Sequence, residues 1–119
     1  MTINDVLILF LLLFTKHYIV DFILQTMPQV RTKGIWGHPV GFSHSLEQGI
    51  WTAAILVFWV DFRLAVAIGV LETHIHYVID WCKMRFGEKD MQEKRYWIQL
   101  GGDQYLHYLT YLGIIFVIT

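Results

Sequence analysis

The sequence predicts an all-α integral membrane protein, a four-helix bundle running up, down, up, down, and three observations predict it. Of 119 residues, 55% are hydrophobic and only 16% charged, against roughly 45–50% and about 25% for an ordinary soluble domain. One domain of this size keeps a large share of its residues exposed, so lipid is expected to cover what the protein cannot. The apolar residues fall into four proline-free blocks, each long enough to span or nearly span roughly 30 Å of hydrocarbon. Each block also merges into polar residues at one end, which sets its direction.

The first block, residues 3–24, carries an apolar core from Val6 to Phe14 that is hydrophobic all round rather than striped. Asp5 precedes that core and no small-residue cleavage site follows it, so the reading is a retained helix rather than a leader. Turn chemistry at Met27-Pro28 and from Lys33 to Pro39 separates it from the second block, residues 44–60. Only Asp61-Phe62-Arg63 leads into the third, residues 64–81. The hydrophilic stretch from Lys83 to Gln99 then precedes the fourth, residues 103–118. The whole chain, residues 1–119, reads as one transmembrane domain. Short connections make neighbouring helices antiparallel. Lys16, Arg31, Lys33, Lys83, Arg85, Lys89, Lys94 and Arg95 then lie on one side and Arg63 on the other, which makes the first side cytoplasmic and places both termini outside. The implied location is a membrane, crossed several times, with the polar helix ends toward the cytoplasm.

Other classes drop out early. A net charge of −1 with no basic patch excludes nucleic-acid recognition. Cys82 is the single cysteine, so an internal disulfide or a CxxC metal knuckle is excluded.

The chemistry sits in three i, i+4 pairs, His17/Asp21, His76/Asp80 and Asp103/His107, each of which presents an imidazole and a carboxylate on one helical face. His44, with Gln48 four residues on, adds a fourth imidazole. Ionisable groups at membrane depth pair, bind a metal or line a polar path. Imidazole nitrogen and carboxylate oxygen suit Zn, Mn, Fe or Ni. His17, Asp21, His44, His76, Asp80, Asp103 and His107 are therefore expected to hold one or two divalent ions, since seven ligands exceed the four of one tetrahedral site. Glu72, one turn before His76, and Asp103 are the expected proton-transferring carboxylates. Gln25, Lys83 and Gln104 are the expected substrate contacts, with Gly101-Gly102 leaving the amides around Asp103 and Gln104 open to an anion at a helix start. His74 points to another face, and His38 falls in a loop.

The ordered set His17-x-x-x-Asp21-Phe22-x-x-Gln25, His44, His76-x-x-x-Asp80-x-x-Lys83 and Asp103-Gln104-x-x-His107 resembles the small polytopic membrane proteins of bacteria and phages grouped as domain of unknown function 3307. The resemblance covers about Leu9 to Leu112 and implies a compact helical membrane protein with these His, Asp and Gln positions as its signature. It implies no activity. The functional expectation is a metal-dependent hydrolase open to the cytoplasm, acting on an amphiphilic phosphate or ester. The alternatives are a metal-ion or proton carrier and a non-catalytic accessory protein, with homo-oligomerisation compatible with all three.

Overall fold

A computed structural model describes residues 1–119 as five α-helices with no strand. α1 spans Ile3–Tyr18 and continues without a break into a π-helical segment, Ile19–Leu24. α2 is Met27–Thr32, α3 Pro39–Leu56, α4 Phe62–Phe86 and α5 Lys94–Ile118. The four long helices close a ring in which α1 touches α3 and α5, and α4 touches the same two from the opposite side. Two stretches, Ile3–Leu24 and Phe62–Phe86, are long and apolar enough to cross a membrane.

Local chemistry sets most boundaries. Thr2 caps α1 in a reciprocal box with Asp5, and Asp5 also accepts the Trp59 indole N–H at 3.1 Å, tying the start of α1 to the end of α3. Thr26 and Gln29 form the same box on α2, a helix where turn chemistry alone was expected. His38 is the N-cap of α3, its Nδ1 accepting from the Val40 N–H. Pro39 follows at the first helical position, so α3 begins five residues before the expected His44. Asp61 caps α4 through Arg63 and Leu64.

The largest departure is α5, which begins at Lys94 rather than Asp103. Its added residues are charged but include strong helix formers such as Lys, Arg, Gln and Leu. Gly101 and Gly102 therefore lie inside the helix, and the amides of Asp103 and Gln104 are spent on helical bonds. The expected anion site at a helix start is absent for that reason.

Burial is inverted relative to a soluble domain. Fifteen buried residues are polar or charged and ten are apolar, while Phe58, Phe62, Phe116 and Val117 are 72% to 81% exposed. The apolar interior, built on Leu9, Leu13, Leu56, Ala65, Ile68, Tyr111, Ile114 and Ile115, fills one half of the ring. The polar interior fills the other. α3 and α4 meet most closely at two glycines, where a Cβ on Gly69 would stand 2.6 Å from the Gly49 carbonyl oxygen. Only residues without side chains allow that approach.

Candidate metal centre

The i, i+4 spacing within each helix and the alternating direction of the helices bring all seven expected ligands together. His17, Asp21, His44, His76, Asp80, Asp103 and His107 are all buried, none more than 7% exposed. At the centre, His44 Nε2 lies 2.9 Å from Asp21 Oδ1 and 3.2 Å from His76 Nε2. His76 Nε2 lies 3.4 Å from Asp21 Oδ1 and 3.2 Å from Asp80 Oδ2. The same Asp80 oxygen is 3.5 Å from His44 Nε2. Two carboxylate oxygens, from α1's π segment and from α4, thus face the same pair of imidazole nitrogens on α3 and α4. A tetrahedral zinc with N and O ligands at about 2.0–2.1 Å spaces its ligand atoms about 3.3–3.4 Å apart, and the five separations, 2.9 to 3.5 Å, bracket that edge.

A second grouping adjoins the first through Asp80. Its other oxygen, Oδ1, is 3.2 Å from His107 Nε2, and His107 in turn lies 3.5 Å from Asp103 Oδ1. The His76 and His107 rings stack with centroids 4.0 Å apart. Asp80, Asp103 and His107 are close enough to share one ion, as are His44, His76 and Asp80, and His17, Asp21 and His76. A carboxylate that offers one oxygen to each group is the geometry of a bridging ligand.

Several partners were not anticipated. Lys33 is buried, donating to Gln25 at 3.0 Å and to Asp80 Oδ2 at 3.4 Å. Gln48 Nε2 donates to Asp21 Oδ1 at 2.8 Å. Lys16, counted among the cytoplasmic-side charges, turns inward and pairs with Glu72 at 2.5 Å. Glu72 thus lies beside Lys16, outside the three ligand groups. The signal for Lys16 was present in the chain: it falls on the Leu9, Leu13, Val20 stripe of its helix, and a lysine inside an apolar stripe needs an acidic partner at similar depth. His74 is exposed and bonds to the Val70 carbonyl.

A cavity of about 330 Å³ opens beside the centre, with Asp21 and Asp103 on its inner wall. The three expected substrate contacts, Gln25, Lys83 and Gln104, all line it, together with Lys33 and Lys89. Lys83 Nζ is 3.5 Å from Asp103 Oδ2. Asp103 Oδ1 has no hydrogen-bond partner. At the outer rim, Lys89 Nζ donates to the Met84 carbonyl. Glu88, also at the rim, accepts the backbone N–H groups of Asp90 and Lys89 and pairs with Arg95, which holds its carboxyl below the usual glutamate range. A second cavity, of about 460 Å³, runs along the outer seam of α4 and α5, walled by Val78, Cys82, Phe86 and Leu106, and reaches the other side of Lys83 and Asp103.

Fold and site together define an all-helical protein that spends its interior on one shared centre of imidazoles and carboxylates. The chain belongs to the family described as "Protein of unknown function (DUF3307)", whose family model matches residues 8–119. No curated protein and no solved structure matches it.

Proposed function

We propose that the chain is a metal-dependent hydrolase of the bacterial inner membrane, with four spanning helices, both termini on the non-cytoplasmic side, and a substrate that is amphiphilic with a phosphate or ester head. The observation that carries this reading is that Asp21 Oδ1 and Asp80 Oδ2 each face both His44 Nε2 and His76 Nε2, at 2.9 to 3.5 Å, beside a cavity walled by lysines. Asp80 and His107, with Asp103, would hold a second ion. A bound divalent ion supplies a hydroxide near neutral pH by lowering the pKa of its water.

The chain's own residues divide the remaining work. Asp103, with one oxygen unpartnered at the cavity wall, accepts or returns the proton. Its position favours it over Glu72, which is engaged by Lys16. Lys83 and Lys33 place positive charge where an anionic head group would sit, and Gln25 and Gln104 offer amide hydrogen bonds. The apolar seam between α4 and α5, ending at Lys83 and Asp103, suits a hydrocarbon tail. Membrane insertion is supported by the inverted burial, since a polar interior under an apolar exterior is stable when the surroundings are lipid.

The test is elemental analysis of detergent-purified protein prepared without added metal, paired with phosphate or ester release from acyl-tailed substrates. Bound metal, lost in His76→Ala and Asp80→Ala, with turnover lost in Asp103→Asn while the ion at Asp21, His44, His76 and Asp80 is retained, is the expected result. Undiminished metal in the first two variants refutes the site.

A second reading, a carrier for metal ions or protons, is favoured by one observation: Lys16, Gln48, Thr52 and Glu72 extend the polar interior beyond the ligand groups. The layer of Leu9, Leu13, Leu56 and Ile114 beyond them closes the path. Metal or proton flux in proteoliposomes separates the two, since the enzyme turns over without flux.

A further inference from the structure

The Lys16 ammonium is buried in the bundle, and it starts two chains of hydrogen bonds that both end at the ligand carboxylates. Lys16 Nζ is 2.5 Å from Glu72 Oε1, 2.6 Å from Gln48 Oε1 and 3.3 Å from Tyr111 Oη. Along the first chain, Gln48 Nε2 reaches Asp21 Oδ1 at 2.8 Å. Along the second, Tyr111 Oη is 2.8 Å from His17 Nδ1, His17 Nε2 is 2.7 Å from Gln104 Oε1, and Gln104 Nε2 is 2.9 Å from Asp103 Oδ2.

The two ends decide the direction of every link between them. An ammonium can only donate, and a carboxylate can only accept. Asp103 therefore takes a hydrogen from the Gln104 nitrogen, which leaves the Gln104 oxygen facing His17 Nε2. That nitrogen must carry the hydrogen, and its second neighbour, Asp21 Oδ2 at 3.2 Å, is another acceptor. The opposite nitrogen of the neutral ring, Nδ1, then accepts from the Tyr111 hydroxyl, whose oxygen accepts from Lys16. Each link agrees with the next, and a nitrogen that carries a hydrogen has no lone pair for a metal.

We infer that the Lys16–Glu72 ion pair is a positioning element that sets the direction of both chains, so that His17 orients Asp21 and Gln104 by donating hydrogen bonds and does not ligate metal. The ligands of the proposed centre are then Asp21, His44, His76, Asp80, Asp103 and His107. What is positioned rests on the metal-site reading given above. The direction of the chains does not.

Two measurements test this separately. In metal-free protein labelled with ¹⁵N-histidine, two-bond ¹H–¹⁵N spectra report which ring nitrogen carries the hydrogen, and the His17 signals are assigned by their loss in His17→Gln. The Nε2–H form is expected, and Tyr111→Phe, which removes the hydroxyl at Nδ1 but leaves both acceptors at Nε2, is expected to weaken the preference without reversing it. Finding Nδ1–H in the unsubstituted protein overturns the inference. In the second measurement, Lys16→Met/Glu72→Gln removes both charges together, so that neither is left buried alone. Its Co²⁺ affinity is expected to fall ten- to a hundredfold, the usual effect of losing the groups that orient ligands, with stoichiometry unchanged. An affinity within twofold of the unsubstituted protein overturns the positioning role. If that variant does not fold, Gln48→Leu and Tyr111→Phe each cut one chain with the ion pair intact, and the same fall is required of them. Protein that binds no Co²⁺ yet shows the Nε2–H form of His17 refutes the metal-site reading and leaves the direction of the chains standing.

Discussion

Asp80 is the side chain that the His44/His76 group shares with the Asp103/His107 group, and its replacement by asparagine tests the proposed centre most directly. The change keeps shape and removes one charge. In the structure, Oδ2 faces His76 at 3.2 Å and His44 at 3.5 Å, while Oδ1 faces His107 at 3.2 Å. One of the two atoms becomes an NH₂ group, which cannot ligate, and the remaining oxygen is a weaker donor to a cation. Loss of a partner that merely orients a ligand costs 10- to 100-fold in metal affinity, so loss of a bridging ligand is expected to cost at least a hundredfold, or about 2.8 kcal/mol. Both ions should be affected together. The assay is competitive titration of purified protein against a chromogenic chelator, with elemental analysis for stoichiometry. Asp103→Asn serves as the comparison, because Asp103 belongs to one group only, and it should weaken one ion and spare the other. An Asp80→Asn protein with affinity within tenfold of the unsubstituted one refutes the bridging geometry, as does loss of one ion with the other untouched.

Further outcomes follow from the same contacts. Removing metal with a chelator should lower the apparent melting temperature of the unsubstituted protein, since an ion at a hundred times its Kd contributes about 2.7 kcal/mol to the folded state. Asp21→Asn should instead raise the melting temperature of the chelated protein while lowering that of the metal-loaded one; calorimetry in detergent reads both signs. Gly69→Ala pushes a methyl against the Gly49 carbonyl, and the overpacking should cost roughly 1–3 kcal/mol, seen as a melting temperature several degrees lower with metal content unchanged. The Glu88 carboxyl is held below its ordinary range, so the order it lends the 87–93 loop is present above that range and is lost as pH falls through the lower folded value. The amide shifts of Lys89 and Asp90 should titrate with a midpoint below that of an unstructured glutamate, and Glu88→Gln should remove the transition.

The existence of four long helices was legible because their apolar residues run together, and the shared centre was legible because i, i+4 pairs recur at matching depth. Helix ends were read less well. The first turns of α5 look like loop when charge is the criterion, yet Lys94 to Leu100 are good helix formers that project from the polar end of the bundle. α2 was lost because Met27-Pro28 signals a turn and also a helix start, and only the Thr26–Gln29 box distinguishes them. The inward lysines were hidden by a counting rule. Lys16 and Lys33 were counted only as cytoplasmic-side charges, whereas an exposure of 6% each shows that they turn inward to their partners Glu72 and Asp80. Removing both from the tally still leaves Arg63 alone at the opposite end, so the proposed orientation does not depend on them.

Charge balance explains why Asp21 carries the sign reversal. Four carboxylates are buried in the bundle: Asp21, Glu72, Asp80 and Asp103. Lysines answer three of them, Lys16 at Glu72, Lys33 at Asp80 and Lys83 at Asp103. Asp21 has none; its neighbours are His17, His44, His76 and Gln48. A buried charge without a counter-charge is costly, by several kcal/mol even after relaxation. Beside the Gln48 amide at 2.8 Å, Asp21 Oδ1 faces two imidazole nitrogens, at 2.9 and 3.4 Å, that themselves stand 3.2 Å apart, too close for both to carry hydrogens directed at each other. One divalent cation among Asp21, His44, His76 and Asp80, as proposed, would relieve both problems, supplying the missing positive charge and giving each facing nitrogen a partner for its lone pair. Neutralising Asp21 removes the first problem without metal, and so stabilises the stripped protein, but it removes a ligand as well, and so weakens the loaded one. A merely structural cluster of hydrogen-bonded pairs has no reason to show opposite signs under the two conditions.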